Sequence, residues 1–288
     1  MFQAPPNQIE LQVAGNIARF SALSAAITYL EIDGVVAIAQ VTHEAILQSF
    51  ASVVCAPWPN RIAKGVWRNV KFPGNDPHGN ALHGLVFDKE FSLTEQSDDS
   101  VTYLYKLQAT ENYPFDLEIG ARYVLSADGL TATYFAKNVG EGNAPYGVAA
   151  HPYFNVYPES TFSFNAETQA INNDIQIPVG TEPNNKVQGA QVFSEANLDD
   201  CFSELSGNVT IQHPDGGEVT IWQDSAFKYL MVYTGHHLQK YGFPNAGLAI
   251  EPQTCPADAF NTGEDLIWLA AGQYWSANWG ISAKGHHG

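Results

Sequence analysis

Positive charge is scarce in this chain. Lys and Arg number 13 against 30 Asp and Glu in 288 residues, a net charge of −17. The arginines are Arg19, Arg61, Arg68 and Arg122 alone. Gripping nucleic acid or an anionic membrane takes a dense basic surface, so neither is an expected partner. A phosphorylated small molecule needs only two or three converging cations and stays open, although the balance leans toward a neutral ligand. Cysteine is sparse as well. Cys55, Cys201 and Cys255 form no C-x-x-C pair, which fits buried thiols in a reducing compartment. No apolar run approaches the roughly 20 residues that span a bilayer. The opening Met1-Phe2-Gln3-Ala4-Pro5-Pro6 has no basic or apolar leader segment, so the expected location is the cytoplasm. There is no P-loop, no G-x-G-x-x-G after a strand and no H-E-x-x-H. Nucleotide binding therefore has no support, and no local motif marks a metal site. The adjacent His236-His237 reads as a loop, and His286 and His287 in the tail receive no role.

What is present is apolar material in short alternating runs. Hydrophobic residues make up 45% of the chain and charged residues 15%, enough for a sizeable core. No composition shift or linker divides the sequence, so residues 1–288 are expected to form one domain. In Leu117–Leu125 apolar residues alternate with Glu118 and Arg122, a period of two that predicts a strand with one buried face. Asp128-Gly129 follows as a turn signal, then a second run from Leu130 to Lys137, together predicting a hairpin. Similar runs occur at Val101–Leu107, Glu218–Trp222 and Phe227–Tyr233. Helical patterns are confined to Thr42–Ala51 and the region Ser194–Asp200. Many short strands with Gly and Pro between them predict an antiparallel sandwich or barrel.

Three distant segments set ionisable groups among apolar residues: Ala81-Leu82-His83-Gly84, His151-Pro152-Tyr153-Phe154-Asn155 and Ile250-Glu251-Pro252-Gln253. Imidazoles titrate near neutral pH, and a partly buried glutamate can be raised toward it. Each has a plain alternative. His83 alone is an ordinary hydrogen-bonded histidine, though Gly84 permits close backbone approach. Pro152 pushes His151 into an extended conformation, where it either faces a cleft or only ends a strand. Glu251 ends an apolar strand stopped by Pro252, so it is paired, functional or pointed at water. Arg61, in the rigid Pro57-Trp58-Pro59-Asn60-Arg61-Ile62, suits sugar hydroxyls or carboxylates, or is a surface residue. Asp199 and Asp200 precede an apolar pair and read first as turn caps. A metal held by His83, His151 and Glu251 remains open.

Taken in order, Pro57–Ile62, Leu82-His83-Gly84, His151–Asn155, Leu198-Asp199-Asp200, Glu251-Pro252-Gln253 and Asp258–Asn261 resemble the aldose 1-epimerases, the galactose mutarotase-like enzymes. The resemblance runs from about Ala51 to the C-terminus. It implies a large antiparallel β-sandwich, the supersandwich, with an open sugar cleft, no metal and no organic cofactor. It implies interconversion of the α and β anomers of a free hexose. Glu251 would take the anomeric hydroxyl proton and His151 would protonate the ring oxygen. His83 would hydrogen-bond the same oxygens, while Arg61 and Asp199, with Asn60 and Gln253, would contact the sugar. Leu85 stands where the best-known members usually carry a second glycine, and Asp200 where they carry a histidine, which points to a less characterised branch. The rivals are a hexose-6-phosphate epimerase drawing on Arg61, Lys64 and Arg68, a non-catalytic sugar-binding protein, and a glycosidase using Glu251 and Asp199. The assembly is expected to be a monomer or a homodimer.

Overall fold

The run Leu117–Ser126 buries alternate side chains from Leu117 to Leu125, and its antiparallel partner Gly129–Asn138 does the same in complementary register. This hairpin lies in a computed structural model that describes residues 3–286. Met1 and Phe2 of the leader reading, and His287 of the tail, lie outside the described residues. Ser126 pairs with Gly129, so the turn residues are Ala127 and Asp128, one position earlier than the Asp-Gly signal suggests. Gly129 instead enters the strand at φ 136°, where a Cβ would lie 2.1 Å from the carbonyl oxygen of Ile281. Tertiary crowding, not turn chemistry, accounts for that glycine.

The hairpin belongs to a 15-stranded sheet. From one edge it runs through Ser92–Gln96, Ser100–Leu107, the hairpin, Tyr274–Lys284, Glu218–Gln223, Asp199–Gln212, Tyr229–Gly235 and Gly247–Gln253 to Ala149–Ala150 and Val54–Cys55. Its paired strands are antiparallel, the pattern expected when one face packs on a core. A second sheet of four strands, from Gln8–Val13 to Val35–Ile38, lies over it. Phe20 stacks on Tyr123 with ring centroids 4.8 Å apart, and the Tyr123 hydroxyl donates to the Ala25 carbonyl at 2.8 Å. The all-β antiparallel sandwich read from the sequence is what the structure contains.

Of the two expected helices, one forms. Thr42 caps His43–Ser49 by accepting from the Ala45 amide, and Phe50 ends it at φ 57°. Around Ser194–Asp200 there is only a 3₁₀ turn, Phe193–Glu195. Asp199 and Asp200 do not cap a turn either. They open the strand Asp199–Gln212, because Cys201 and Phe202 pair with Met231 and Leu230 and draw the segment into the sheet. Pro252 likewise fails to stop its strand, which runs on to Gln253. An extended strand tolerates the proline φ and loses only one donor. Cys55, Cys201 and Cys255 are buried free thiols.

Candidate active site

Every residue of the strand Gly247–Gln253 is buried. Side chains alternate along a strand, so Leu248 and Ile250 share one face while Ala249, Glu251 and Gln253 share the other. His151 sits between two short strands that both pair with this one. Ala149 lies opposite Gln253, and Tyr153 lies opposite Ala249. Because both flanks of His151 are laced to the glutamate strand, its Nε2 is brought to 3.3 Å from Glu251 Oε1. The two residues are 5% and 2% exposed.

His83 is fixed by backbone alone. It adopts φ 62°, its amide donates to the Asn60 carbonyl at 2.8 Å, and the Leu85 amide donates to the Ala56 carbonyl at 2.7 Å. Between them Gly84 has φ 79° and passes so close that a Cβ would stand 2.0 Å from the Ala56 oxygen. The close approach expected of Gly84 is therefore present. The His83 ring meets His151 edge-on, centroids 4.9 Å apart at 89°, and Phe50 packs against it at 4.7 Å.

Burial dominates the electrostatics of this floor. It pushes the Glu251 carboxyl well above its ordinary value, aided by the Asp199 charge and opposed by the Gln253 amide and Arg61. It pushes His151 down to about 4, against a contact with its own main chain. His83 is driven well down by burial, then by His151 and Arg61, and is a neutral imidazole at neutral pH. The Glu251–His151 pair thus holds one proton over a broad range. The neutral and ion-paired forms differ only by moving that proton across a single short contact.

Arg61, Asn60 and Asp199 line the same cleft as His83, His151 and Glu251. Gln253 does not line it. It stands behind Glu251, donating from Nε2 to Oε2 at 3.2 Å. Arg61 donates from Nε to Asp76 at 3.1 Å and from Nη1 to the Asn60 side chain at 3.0 Å. Asp76 is itself held by the amides of His78 and Asn80 and by the Asn80 side chain. Asp199 faces the cleft mouth, where partial desolvation raises its carboxyl, Arg61 opposes this and Asp200 adds to it. Asp258 accepts from the Ala63 amide at 2.9 Å and so braces the Arg61 segment. Trp58 is core: its ring packs on Phe72 and Phe260, and its indole N–H donates to the Ala81 carbonyl.

Several lining residues carried no local signal in the sequence. Phe50, Met231, Tyr233, His237 and Tyr241 all face the cleft, beside Tyr153 of the His151 segment. His237, read only as loop, is on one, yet its Nδ1 lies 3.2 Å from the Tyr233 hydroxyl. The pairing of Asp199 with Tyr233 and of Met231 with Glu251 explains two of these positions, and such long-range register is invisible to local pattern. Lys64 and Arg68 lie elsewhere: Lys64 donates to the His78 carbonyl, and Arg68 covers the rings of Trp67 and Trp268. Among the described residues, no cluster of three or more His, Cys, Asp or Glu is arranged to hold a metal. No described helix is long and apolar enough to cross a membrane.

The fold is an antiparallel β-sandwich with a buried Glu251–His151 pair at the floor of an open cleft. The aldose 1-epimerase family profile matches residues 25–282, and the chain belongs to that family. It is 31% identical over 237 residues to the uncharacterised Escherichia coli protein YihR, covering 76% of this chain and 75% of that protein. In fold it is similar to the GalM/aldose epimerase homologue of C. elegans, with a TM-score of 0.84, 15% identity and coverage of 97% and 99% of the two chains. It is also similar to galactose 1-epimerase of Lactobacillus acidophilus, with a TM-score of 0.79, 17% identity and coverage of 97% and 99%.

Proposed function

We propose that the protein interconverts the α and β anomers of a free, uncharged hexose, acting as a single sugar-binding domain over residues 1–288. The observation that carries this reading is the 3.3 Å separation of His151 Nε2 and Glu251 Oε1 at the cleft floor. In a pyranose, O1 and O5 are bonded to the same carbon, so two proton-transfer groups this close can serve both. Glu251 takes the O1 hydroxyl proton as the C1–O5 bond breaks. The electron pair of that bond goes to O5, which takes its proton from His151, leaving the open-chain aldehyde. After rotation about C1–C2, O5 adds to the other face of the carbonyl and returns its proton to His151. O1 then recovers its proton from Glu251. Positioned acid–base groups contribute about 10²–10⁴ each, ample for a reaction that proceeds unaided in water. Neutral His83 hydrogen-bonds the oxygens as charge shifts, and Arg61, Asn60 and Asp199 hold ring hydroxyls.

A second observation favours a neutral sugar over a sugar phosphate. Among the described lining residues Arg61 is the one Lys or Arg, and its Nε is committed to Asp76. Asp199 adds negative charge to the same space, and the Glu251–His151 pair, holding one proton, adds no net positive charge. The test is polarimetry of freshly dissolved α-galactose, α-glucose and other aldoses, beside the corresponding 6-phosphates. Galactose is the first sugar to try, given the fold shared with the Lactobacillus galactose 1-epimerase. Faster relaxation of a free aldose supports the reading. Acceleration confined to a phosphate, or of no sugar at all, overturns it.

A further inference from the structure

We propose that Gln253 is a positioning residue for Glu251: from behind the cleft its amide holds Oε2, leaving Oε1 to face His151 and the sugar. This rests on the epimerase reading above. Gln253 is 0% exposed, lies two residues along the same strand face from Glu251, and is absent from the cleft lining. Its backbone is fixed from both sides, opposite Tyr229 and opposite Ala149. Its Nε2 donates to Glu251 Oε2 at 3.2 Å, while its Oε1 is buried with no partner among the described residues. A buried, unpartnered amide oxygen is destabilising, and an apolar side chain of similar volume would avoid that cost. The position therefore keeps an amide for its donor, and among the described residues that donor is the one side-chain contact of Glu251 besides His151.

A hydrogen bond to a carboxylate is stronger than one to a carboxylic acid, so the contact favours the ionised base against the burial that opposes it. The other ionisable groups around Glu251 are His151, Asp199, Arg61, Tyr153, Cys55 and Cys201. The tyrosine and both thiols are held neutral by burial, with Glu251 adding to their upward shift. Arg61 alone among them favours the carboxylate without itself taking part in the proton exchange, and it is engaged with Asp76. Gln253 is thus the contact dedicated to the ionised form.

Gln253→Leu removes the donor at similar volume. It is expected to lower kcat about tenfold to a hundredfold, to leave KM nearly unchanged, and to move the alkaline limb of the rate profile to higher pH. Gln253→Met repeats the measurement should Gln253→Leu not fold. A packing role alone would not move the limb. An independent readout needs no sugar: the infrared C=O stretch of protonated Glu251, identified by its loss in Glu251→Gln, should persist to higher pH in Gln253→Leu. A native rate and unmoved limb, or a raised KM at native kcat, would overturn the proposal, as would an unmoved infrared titration. If the native protein accelerates no aldose, the epimerase reading fails, and the infrared titration still decides whether Gln253 grips Glu251.

Discussion

The cleft floor and the cleft rim are built by different means. On the floor, Glu251 comes from a strand buried along its length and His151 from the buried link between two short strands paired with it, and both stand in near-complete isolation from water. On the rim, Arg61 and Asp199 start their strands, Tyr233 lies within one and His237 sits in a turn, and Asp199 and His237 are open to solvent. Burial sets proton affinities on the floor, raising that of the Glu251 carboxylate and lowering that of the His151 imidazole. On the rim, hydrogen-bond geometry sets position, as in the Arg61–Asp76 clamp. Floor substitutions should therefore act on kcat and rim substitutions on KM.

The sharpest way to break that division is Glu251→Gln. It keeps the shape and the buried position and removes the proton acceptor. We expect kcat to fall about 10²–10⁴ with sugar binding retained, measured by polarimetric turnover and by calorimetric binding of the same sugar. Loss of binding with turnover per bound sugar intact would place Glu251 with the rim.

Next in size is the pH dependence. On the proposed mechanism the Glu251–His151 pair works with one proton, so the rate should fall where a second is added and where the last is lost. His151 is depressed to about 4, so the acid limb should lie near that pH and not near the ordinary histidine value. The raised Glu251 should carry the alkaline limb to a pH well above an ordinary carboxyl. A rate profile over a wide pH range checks this. An acid limb near 6.5, the usual histidine value, would mean that burial does not control the floor.

The sequence made these two regions unequally legible. The floor residues each sat beside a proline, a glycine or an apolar run, which marked Glu251, His151 and Gly84 as unusual. The hairpin strands were readable because alternation needs only local information. The rim was not. Asp76 lies 15 residues from Arg61 in a loop of ordinary polar composition, and nothing local links them. Asp199 looked like a turn cap because its place in a strand depends on pairing with Tyr233. Pro252 looked like a strand end because a local rule cannot tell which N–H a ladder will use. Gln253 was placed with the sugar contacts, but it stands behind Glu251, since residues two apart on a strand share a face without sharing a surface.

Asp76→Asn would sharpen the rim side. It removes the charge that holds the Arg61 guanidinium while keeping its shape, and charge-assisted bonds of this kind carry about 1.5–3 kcal/mol. KM is expected to rise about tenfold with kcat little changed, read from initial rates across sugar concentrations. A matching fall in kcat at constant KM would show that Arg61 acts on the shifting charge and belongs with the floor.

The smallest expected effect is at His237. Its Nδ1 contacts the Tyr233 hydroxyl at 3.2 Å, but the ring is exposed, and water can replace either partner when the other is removed. Burial, Lys240 and His236 all lower its proton affinity, so it is neutral at pH 7 and contributes no charge to the cleft. The segment that carries it is held independently: the Thr42 hydroxyl donates to the Tyr241 carbonyl at 2.7 Å, tying it to the first helix. His237→Ala should therefore change KM by less than about threefold, as for a solvent-exposed hydrogen bond worth under 1 kcal/mol, and leave kcat and both pH limbs in place. Steady-state kinetics at several pH values would check this. A tenfold rise in KM for one aldose but not its epimers would make the rim a selector of hydroxyl configuration and not only a support for the ring. That selection would then rest on a residue that neither composition nor periodicity marks out.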